Sequence, residues 1–474
     1  MAAGGGASRL PRPSVMLPPQ FPATIEGIVG TEFVRRDEVS RLSYGTDALK
    51  QGRPADLVVL PATAAEISSI ARLCHDMRVP LVVRGAGTGY TGGAVPVEGG
   101  VVVSVERLNR ILEIDETNLL AIVQPAVITG DLQDAVESRG LFYPPDPQSF
   151  KESSIGGNVA ECAGGPRAFK YGVTKRYVMG LEAVLPTGEI IRTGGKTVKN
   201  VVGYDLTQLL VGSEGTLAIV TEIILRLVPR PPDVATLRAC FGSVREAADA
   251  VTALIRRRVV PATIELMDRQ SLDAVAAYVA ERLAPEGTEA LLLVEIDGVT
   301  AAIEAEADHV AAACRESGAL EVLRARDAAE REALWRVRRE TSYALRTLAP
   351  LKLNNDVVVP RGRVPELFAL VERLRDKHQL RIPSFGHAGD GNIHVNVMVD
   401  PADGAAMARA RAAVQELFEG VIALEGSISG EHGIGFAKAR YLPIELSPEE
   451  IALMKRVKMA FDPNGILNPG KIFP

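Results

Sequence analysis

The apolar and polar positions of this chain change period several times, and each change marks an element. Asp56-Leu57-Val58-Val59-Leu60 is a short apolar run of the kind a buried strand leaves. Thr63-x-x-Glu66 follows as a capping box, and Ile67, Ile70, Ala71 and Cys74 then recur at helical spacing. Leu81-Val82-Val83 reads as a second strand and residues 101–105 as a third. Residues 180–185 and 189–192 form a hairpin turned at Pro186-Thr187-Gly188, and a short helix ending at Val211 leads into a strand over 218–227. Pro229-Arg230-Pro231-Pro232 then breaks the chain. Beyond it, strands at 235–241, 262–267, 291–296 and 321–325 alternate with amphipathic helices, the first opening on Ser243-x-x-Glu246.

This pattern predicts an α+β protein built in parts. A Gly-, Ala- and Pro-rich tail over 1–20 lacks the apolar centre of a secretory signal and reads as disordered, with a short organellar transit peptide left open. A helical lead-in spans 21–55, a first domain 56–231, a second domain 232–425, and a closing segment 426–474. The second domain has no glycine loop, so its strand–helix alternation fits a ferredoxin-like α+β cap rather than a second nucleotide domain. A helix over 327–348 carries the only tryptophan, and its spacing puts Trp335, Arg338 and Ser342 on one face. Most arginines are solvated, so an exposed Arg338 fits the same residues.

Composition narrows the function. With 474 residues, 47% apolar, the chain is long enough for two or three domains. A formal charge of −6 and the lack of a basic stripe argue against nucleic acid as the main partner, with local basic spots left open. No apolar run approaches the ~20 residues of a membrane helix. Four cysteines, Cys74, Cys162, Cys240 and Cys314, are scattered without Cys-x-x-Cys spacing, which argues against a self-contained iron–sulfur or thiolate zinc site and fits a reducing, cytoplasmic compartment.

Two stretches carry candidate chemistry. The first, Arg84-Gly85-Ala86-Gly87-Thr88-Gly89-Tyr90-Thr91-Gly92-Gly93, lets successive backbone N–H groups turn inward around an anion. No Gly-Lys-Ser/Thr follows, so it is not a P-loop, and a loop and strand follow where a Rossmann fingerprint needs a helix. A tight surface turn fits the loop equally well. Glycine clusters recur at 156–157, 164–165, 203 and 212–215, each beside an element end, as expected for a long ligand lying against backbone. The second stretch runs from His387 to Asn396. If Asp390-Gly391 is a two-residue hairpin turn, His387 lies opposite His394 and Asn396 shares their face. Gly389 could form a bulge and shift that register. Further on, His432 follows Glu431 in a glycine-rich loop. Two histidines and a carboxylate suit Zn²⁺ or a neighbouring metal with one position open, and loop capping by the histidines is the plainer alternative.

Residues 83–93, 144–172 and 203–227 together resemble the FAD-binding half of the vanillyl-alcohol oxidase / para-cresol methylhydroxylase flavoprotein superfamily. The nearest branch contains the glycolate oxidase flavoprotein subunit, D-lactate dehydrogenase and D-2-hydroxyglutarate dehydrogenase, and the resemblance runs from about residue 30 to the end. It implies a PCMH-type FAD-binding domain to which the closing segment returns. It also implies FAD contacts from Arg84, Gly85, Gly87, Thr88, Gly89, Tyr90, Gly92 and Gly93, and from Pro147, Ser154, Gly157, Asn158, Ala163, Gly164, Tyr171 and Gly172. Glu214, Gly215, Ile219, Asn468 and Lys471 complete that set. Thr88, Gly89 and Tyr90 stand where covalent members carry a histidine, so noncovalent FAD is expected. Cys162 lies outside that loop. For the substrate, the resemblance implies carboxylate recognition by Arg338, Ser342 and Lys352, with Thr341 an alternative to Ser342 by a one-residue slip, and contact from Asn396. It implies a divalent metal, Zn²⁺ or Mn²⁺, on His387, His394 and Glu431, with His432 as general base. Asn354-Asn355-Asp356 departs from the acidic pair more usual there.

The expected reaction is oxidation of a 2-hydroxy acid, glycolate or D-lactate first and D-2-hydroxyglutarate next, with hydride transfer to FAD. Without cluster cysteines the electron acceptor is external: an iron–sulfur subunit, a quinone, a cytochrome, an electron-transfer flavoprotein or oxygen. Peripheral placement at a membrane electron-transfer complex and a homodimer are compatible with this reading. A non-redox flavoprotein of the alkyl-glycerone-phosphate synthase type, or a flavin subunit that only docks partners, is the alternative. The paired hairpin histidines speak against the former.

Overall fold

The computed structural model describes residues 8–9 and 17–474, so the tail expected over 1–20 falls largely outside the described residues. The chain divides into two compact units. The first comprises Met1–Ala163, Val173–Arg230 and Glu431–Pro474, and the second Gly164–Gly172 and Pro231–Gly430.

In the first unit, four strands form one sheet: β1 (Val34–Arg35), β2 (Leu57–Val59), β3 (Leu81–Arg84) and β4 (Val101–Ser104), in the order β1-β2-β4-β3. β4 runs parallel to both β2 and β3, and its unbroken Val101-Val102-Val103 is buried, as parallel strands require. The crossover helix α1 (Ala64–Met77) begins where Thr63 accepts from the Glu66 amide, and Ile67, Ile70, Ala71 and Cys74 are all buried. They join Phe21 and Ile25 of the helix Phe21–Val29, so the lead-in closes one side of the core. The chain end returns to this sheet, since the Leu81 amide donates to Ile466 O at 2.8 Å and the Asn468 amide to Leu81 O at 2.7 Å. A second, antiparallel sheet contains β5 (Ile111–Asp115), β6 (Leu120–Val123), β7 (Val178–Val184), β8 (Ile190–Gly194) and β9 (Ile219–Arg226), in the order β8-β7-β9-β6-β5. The helix α2 (Ile155–Glu161) belongs to this unit too.

The second unit is built on one antiparallel sheet, seven-stranded among the described residues. Its strands are β10 (Asp233–Phe241), β11 (Thr263–Asp268), β12 (Ala290–Gly298), β13 (Ala319–Arg324), β14 (Leu351–Val358), β15 (Ser384–His387) and β16 (Asn392–Val399). The order is β13-β10-β12-β11-β15-β16-β14. Its first four strands thus have the ferredoxin-like arrangement, with the β15–β16 hairpin and β14 added beyond β11. Two helices, α3 (Arg269–Val279) and α4 (Ala328–Leu345), pack together, and Leu272, Val275, Ala344 and Leu345 share a core with Met267, Leu291, Leu293 and Phe385.

The hairpin register differs from the expected one. His387 pairs with Asn392, and His394 pairs with Phe385. The turn is four residues long, 388–391, because the Gly389 amide reaches Ile264 O at 3.3 Å and the Gly391 amide closes on His387 O at 3.0 Å. Both glycines are needed: a Cβ on Gly389 would lie 2.8 Å from Phe169 Cγ, and one on Gly391 2.0 Å from Val359 O. The shift is by two residues, so the faces are unchanged. His387 and His394 become diagonal neighbours instead of opposed ones.

Candidate active site

In the first unit, strand β3 delivers the chain into the loop 85–93. Arg84 Nη1 donates to Tyr44 O at 3.1 Å and Thr46 O at 2.7 Å, which anchors the loop's base. Gly87 and Gly92 adopt positive φ of 73° and 77°. A Cβ at Gly85 would sit 2.5 Å from Ser154 Oγ and one at Gly92 1.9 Å from Phe436 Cε1, so side chains are sterically barred there. Ser154 caps α2 by accepting from the Gly157 amide, and Asn158 Nδ2 donates to Thr129 Oγ1 at 2.7 Å inside the core. Pro147 O accepts from the Phe150 amide, and Ala163 O from Thr174 Oγ1. Ile219 is buried at the head of β9.

The closing segment is hydrogen-bonded to this loop. Asn468 Nδ2 donates to Gly93 O at 3.0 Å and to Glu214 O at 2.8 Å. Lys471 Nζ donates to Val95 O and to Asn468 Oδ1 at 2.9 Å. The Glu214 carboxylate in turn accepts from the amides of Ile434 and Gly435, at 2.7 and 2.6 Å. His432 is held just before them: its carbonyl accepts from Thr91 Oγ1 at 3.3 Å, and its ring stacks on Tyr90 with centroids 5.3 Å apart. Burial dominates the electrostatics here. Aided by the Glu214 and Asp47 charges, it pushes Glu161 well above the usual carboxylate range, and it lowers Lys471 to about 8. Glu161 Oε2 is buried without a hydrogen-bond partner, close to where a Cβ on Gly433 would stand. A glycine-lined backbone cradle, beside a carboxyl whose burial disfavours its charged form, fits a dinucleotide pyrophosphate.

In the second unit the polar residues share one sheet face. Register pairs Glu265 with His387, Asp356 with His394, and Asn354 with Asn396. Each hairpin histidine therefore faces a carboxylate on the strand flanking it. His387 Nδ1 lies 2.5 Å from Glu265 Oε1, and His394 Nδ1 lies 3.5 Å from Asp356 Oδ1. Asp356 is fixed by Asn392 Nδ2 at 2.6 Å and by the Gly430 amide at 3.0 Å. Glu265 also accepts from Arg338 Nε at 2.5 Å. Burial alone would raise Glu265, but the Arg338 charge and the hydrogen bonds from His387 and Arg338 outweigh it and hold the carboxyl at about 2. An imidazole whose Nδ1–H is committed to a carboxylate presents Nε2 as its lone pair, the arrangement seen behind metal-binding histidines. The two rings stand 5.4 Å apart, so a metal is compatible with this donor chemistry.

Arg338 is 2% exposed, not solvated, and its guanidinium lies over Phe385. Lys352 Nζ donates to Ser342 Oγ at 2.7 Å, whereas Thr341 Oγ1 is turned back to Val337 O, so Ser342 is the hydroxyl beside the lysine. Asn396 Nδ2 is committed to His394 O, while its Oδ1 and that of Asn354 are buried acceptors without a hydrogen-bond partner. Tyr171 Oη donates to Asp297 Oδ2 at 2.6 Å, and Gly172 takes a φ of 81°. Gly430 ends the unit, and the next residues are Glu431 and His432, with Oε1 and Nε2 3.8 Å apart. Sequence reasoning missed Glu265, although an acid inside the apolar strand 262–267 was a visible signal.

Two families match: "FAD binding domain" over residues 55–194, and "FAD linked oxidases, C-terminal domain" over residues 230–472. The chain is 46% identical over 447 residues to the glycolate oxidase subunit GlcD of Bacillus subtilis, covering 94% of this chain and 95% of that one. It is 37% identical over 444 residues to D-lactate dehydrogenase of Anaerostipes hadrus, covering 92% and 93%. Among solved structures, p-cresol methylhydroxylase with substrate bound has a TM-score of 0.79 at 18% identity, over 96% of each chain. An alkyldihydroxyacetonephosphate synthase reaches 0.74 at 19% identity, covering 98% of this chain and 87% of that one. Likeness at that identity speaks for the fold alone. Matching both domains and aligned with these relatives along nearly its whole length, the chain belongs to the FAD-linked oxidases, as an FAD-dependent oxidoreductase.

Proposed function

We propose that this protein oxidises a small 2-hydroxy acid, glycolate or D-lactate, to the corresponding 2-oxo acid. The observation that carries the reading is the polar sheet face, where a buried guanidinium, a lysine–serine pair and two carboxylate-backed histidines belong to one unit. Arg338 and Lys352 hold the substrate carboxylate, Arg338 by its planar fork and Lys352 as a point charge steadied by Ser342. Asn396 contacts the substrate from the same sheet face. His387, His394 and Glu431 would hold a divalent ion, with Asp356 behind His394. Glycine-loop residues 85–93, the α2 start and the 212–216 turn hold FAD. When bound, the metal would supply a lowered hydroxyl pKa and FAD would supply the hydride acceptor for Cα–H. His432, stacked on Tyr90, takes the hydroxyl proton.

The reducing equivalents leave to an external acceptor, because all four cysteines are free and three of them are buried. A partner subunit is one acceptor to test, since the relative from Bacillus subtilis is itself called a subunit. The test is a steady-state assay with an artificial electron acceptor and a panel of D- and L-2-hydroxy acids. Turnover of glycolate or D-lactate, with KM raised by Arg338→Ala, supports the reading. Turnover confined to a diacid would shift the substrate, and no turnover of any hydroxy acid by FAD-loaded protein would overturn it.

A further inference from the structure

We infer that Glu265 is a positioning residue, one carboxylate that ties the guanidinium of Arg338 to the imidazole of His387 and keeps both in their working orientation. The inference rests on the proposed metal and substrate roles of those two residues. Glu265 sits directly opposite His387 in the β11–β15 ladder, so its distance from the ring is set by the sheet and not by a loop. Its side chain is fully buried, and its two oxygens are divided between two donors, Oε2 to Arg338 Nε and Oε1 to His387 Nδ1. Arg338 is engaged through Nε, on the stem side of the guanidinium, so its two terminal nitrogens lie outside this contact. Phe385 stacks on the same guanidinium, with Cζ 4.7 Å from the ring centroid, and together the two contacts fix its plane.

Two other arginines of α4 are paired differently. Arg336 meets Glu281 and Arg339 meets Glu332 at exposed sites, so neither needs a buried carboxylate. A buried arginine needs a compensating charge somewhere, and that alone would be a structural role. The second oxygen distinguishes the cases. Because Arg338 and His387 both donate, replacing the carboxylate by an amide leaves one acceptor for two donors. Whichever way the amide lies, one N–H then faces another. On the His387 side the relief is to move the ring proton from Nδ1 to Nε2, which removes the lone pair meant for the metal.

Glu265→Gln therefore tests the idea without changing side-chain volume. FAD-loaded wild-type and variant protein, stripped of metal, are titrated with Zn²⁺ against a chromophoric chelator. In parallel, KM and kcat are measured for D-lactate. Glu265→Gln is expected to weaken Zn²⁺ binding about 10- to 100-fold and to raise KM more than it lowers kcat. In a His387→Ala background the same substitution should leave Zn²⁺ affinity unchanged. An unchanged Zn²⁺ affinity in Glu265→Gln, with the flavin spectrum and thermal unfolding like wild type, would overturn the inference. A second measurement needs no variant at Glu265: ¹⁵N spectra of histidine-labelled, metal-free wild type should show His387, assigned by loss in His387→Gln, as the Nδ1–H tautomer. The Nε2–H tautomer there would equally overturn it. Wild-type protein that neither binds Zn²⁺ nor turns over any hydroxy acid would instead sink the proposed function, and the same samples report it.

Discussion

Asn468→Ala probes how the returning C-terminal segment supports the FAD loop. The asparagine side chain makes three hydrogen bonds, two of them fully buried, donating to Gly93 O and Glu214 O and accepting from Lys471 Nζ. Its backbone is left-handed at φ 45°, a conformation asparagine tolerates better than alanine. Truncation strands two carbonyls and part of an ammonium. At about 1 kcal/mol net per lost bond, and more where a buried partner stays unpaired, this costs roughly 3 kcal/mol. Left-handed strain adds about 1 kcal/mol. The total of about 4 kcal/mol corresponds to a Tm drop on the order of 10 °C for a unit of this size. Asn468→Gly loses the same bonds without the strain and should fall about 1 kcal/mol less far. Both variants should release FAD faster, since Gly93 closes the loop 85–93. Unfolding followed by circular dichroism, with released flavin followed by fluorescence, gives both numbers. A loss below about 1 kcal/mol, less than a single buried hydrogen bond, would refute the clamp, as would FAD release at the wild-type rate.

Other outcomes follow from single contacts. Gly92→Ala meets the Phe436 ring and needs positive φ, and should cost roughly 2–5 kcal/mol; Phe436→Ala in the same chain should restore part of the FAD binding, measured by flavin titration. Burial pushes Asp47 up to about 6, from an ordinary 3.8. The native state then holds the extra proton, so this residue's contribution to stability falls as pH rises from about 4 to about 6. Asp47→Asn should match wild type near pH 4 and exceed it by roughly 1–3 kcal/mol above pH 6 in denaturant titrations; an equal difference at both pH values would contradict this. Lys471 is the reverse case, lowered by burial to about 8 from 10.5, so stability should rise between those values and the rise should vanish in Lys471→Met. Ser342→Ala should raise KM for the hydroxy acid severalfold with little change in Tm, whereas Thr341→Val, at a buried helix position bonded to its own backbone, should leave KM unchanged.

Much of the first unit was legible because parallel strands and an amphipathic crossover helix leave strong periodic marks, as in Val101-Val102-Val103 and the Ile67–Cys74 stripe. The glycine loop was legible as a cradle for a related reason, since positions that exclude a Cβ permit few residue types. The hairpin was legible in its faces but not in its register. Asp390-Gly391 suggested a two-residue turn, and the contacts that lengthen it, Gly389 to Ile264 and Gly391 near Val359 O, come from strands distant in sequence. Glu265 and Asp356 escaped for the same reason. Nothing local tells an acid in an apolar strand which neighbour it will face, and only the order β11-β15-β16-β14 puts each beside its histidine. Arg338 shows the converse, a residue whose type predicts exposure but whose strand partner requires burial.

The most direct test of the central claim is an anaerobic absorbance titration of the FAD-loaded protein with glycolate and with D- and L-lactate, before and after treatment with a chelator. Bleaching of the flavin band by glycolate or by the D-acid, abolished by the chelator and restored by Zn²⁺ or Mn²⁺, is the predicted result. A flavin that stays oxidised with every hydroxy acid, in protein that holds both FAD and metal, would contradict the account.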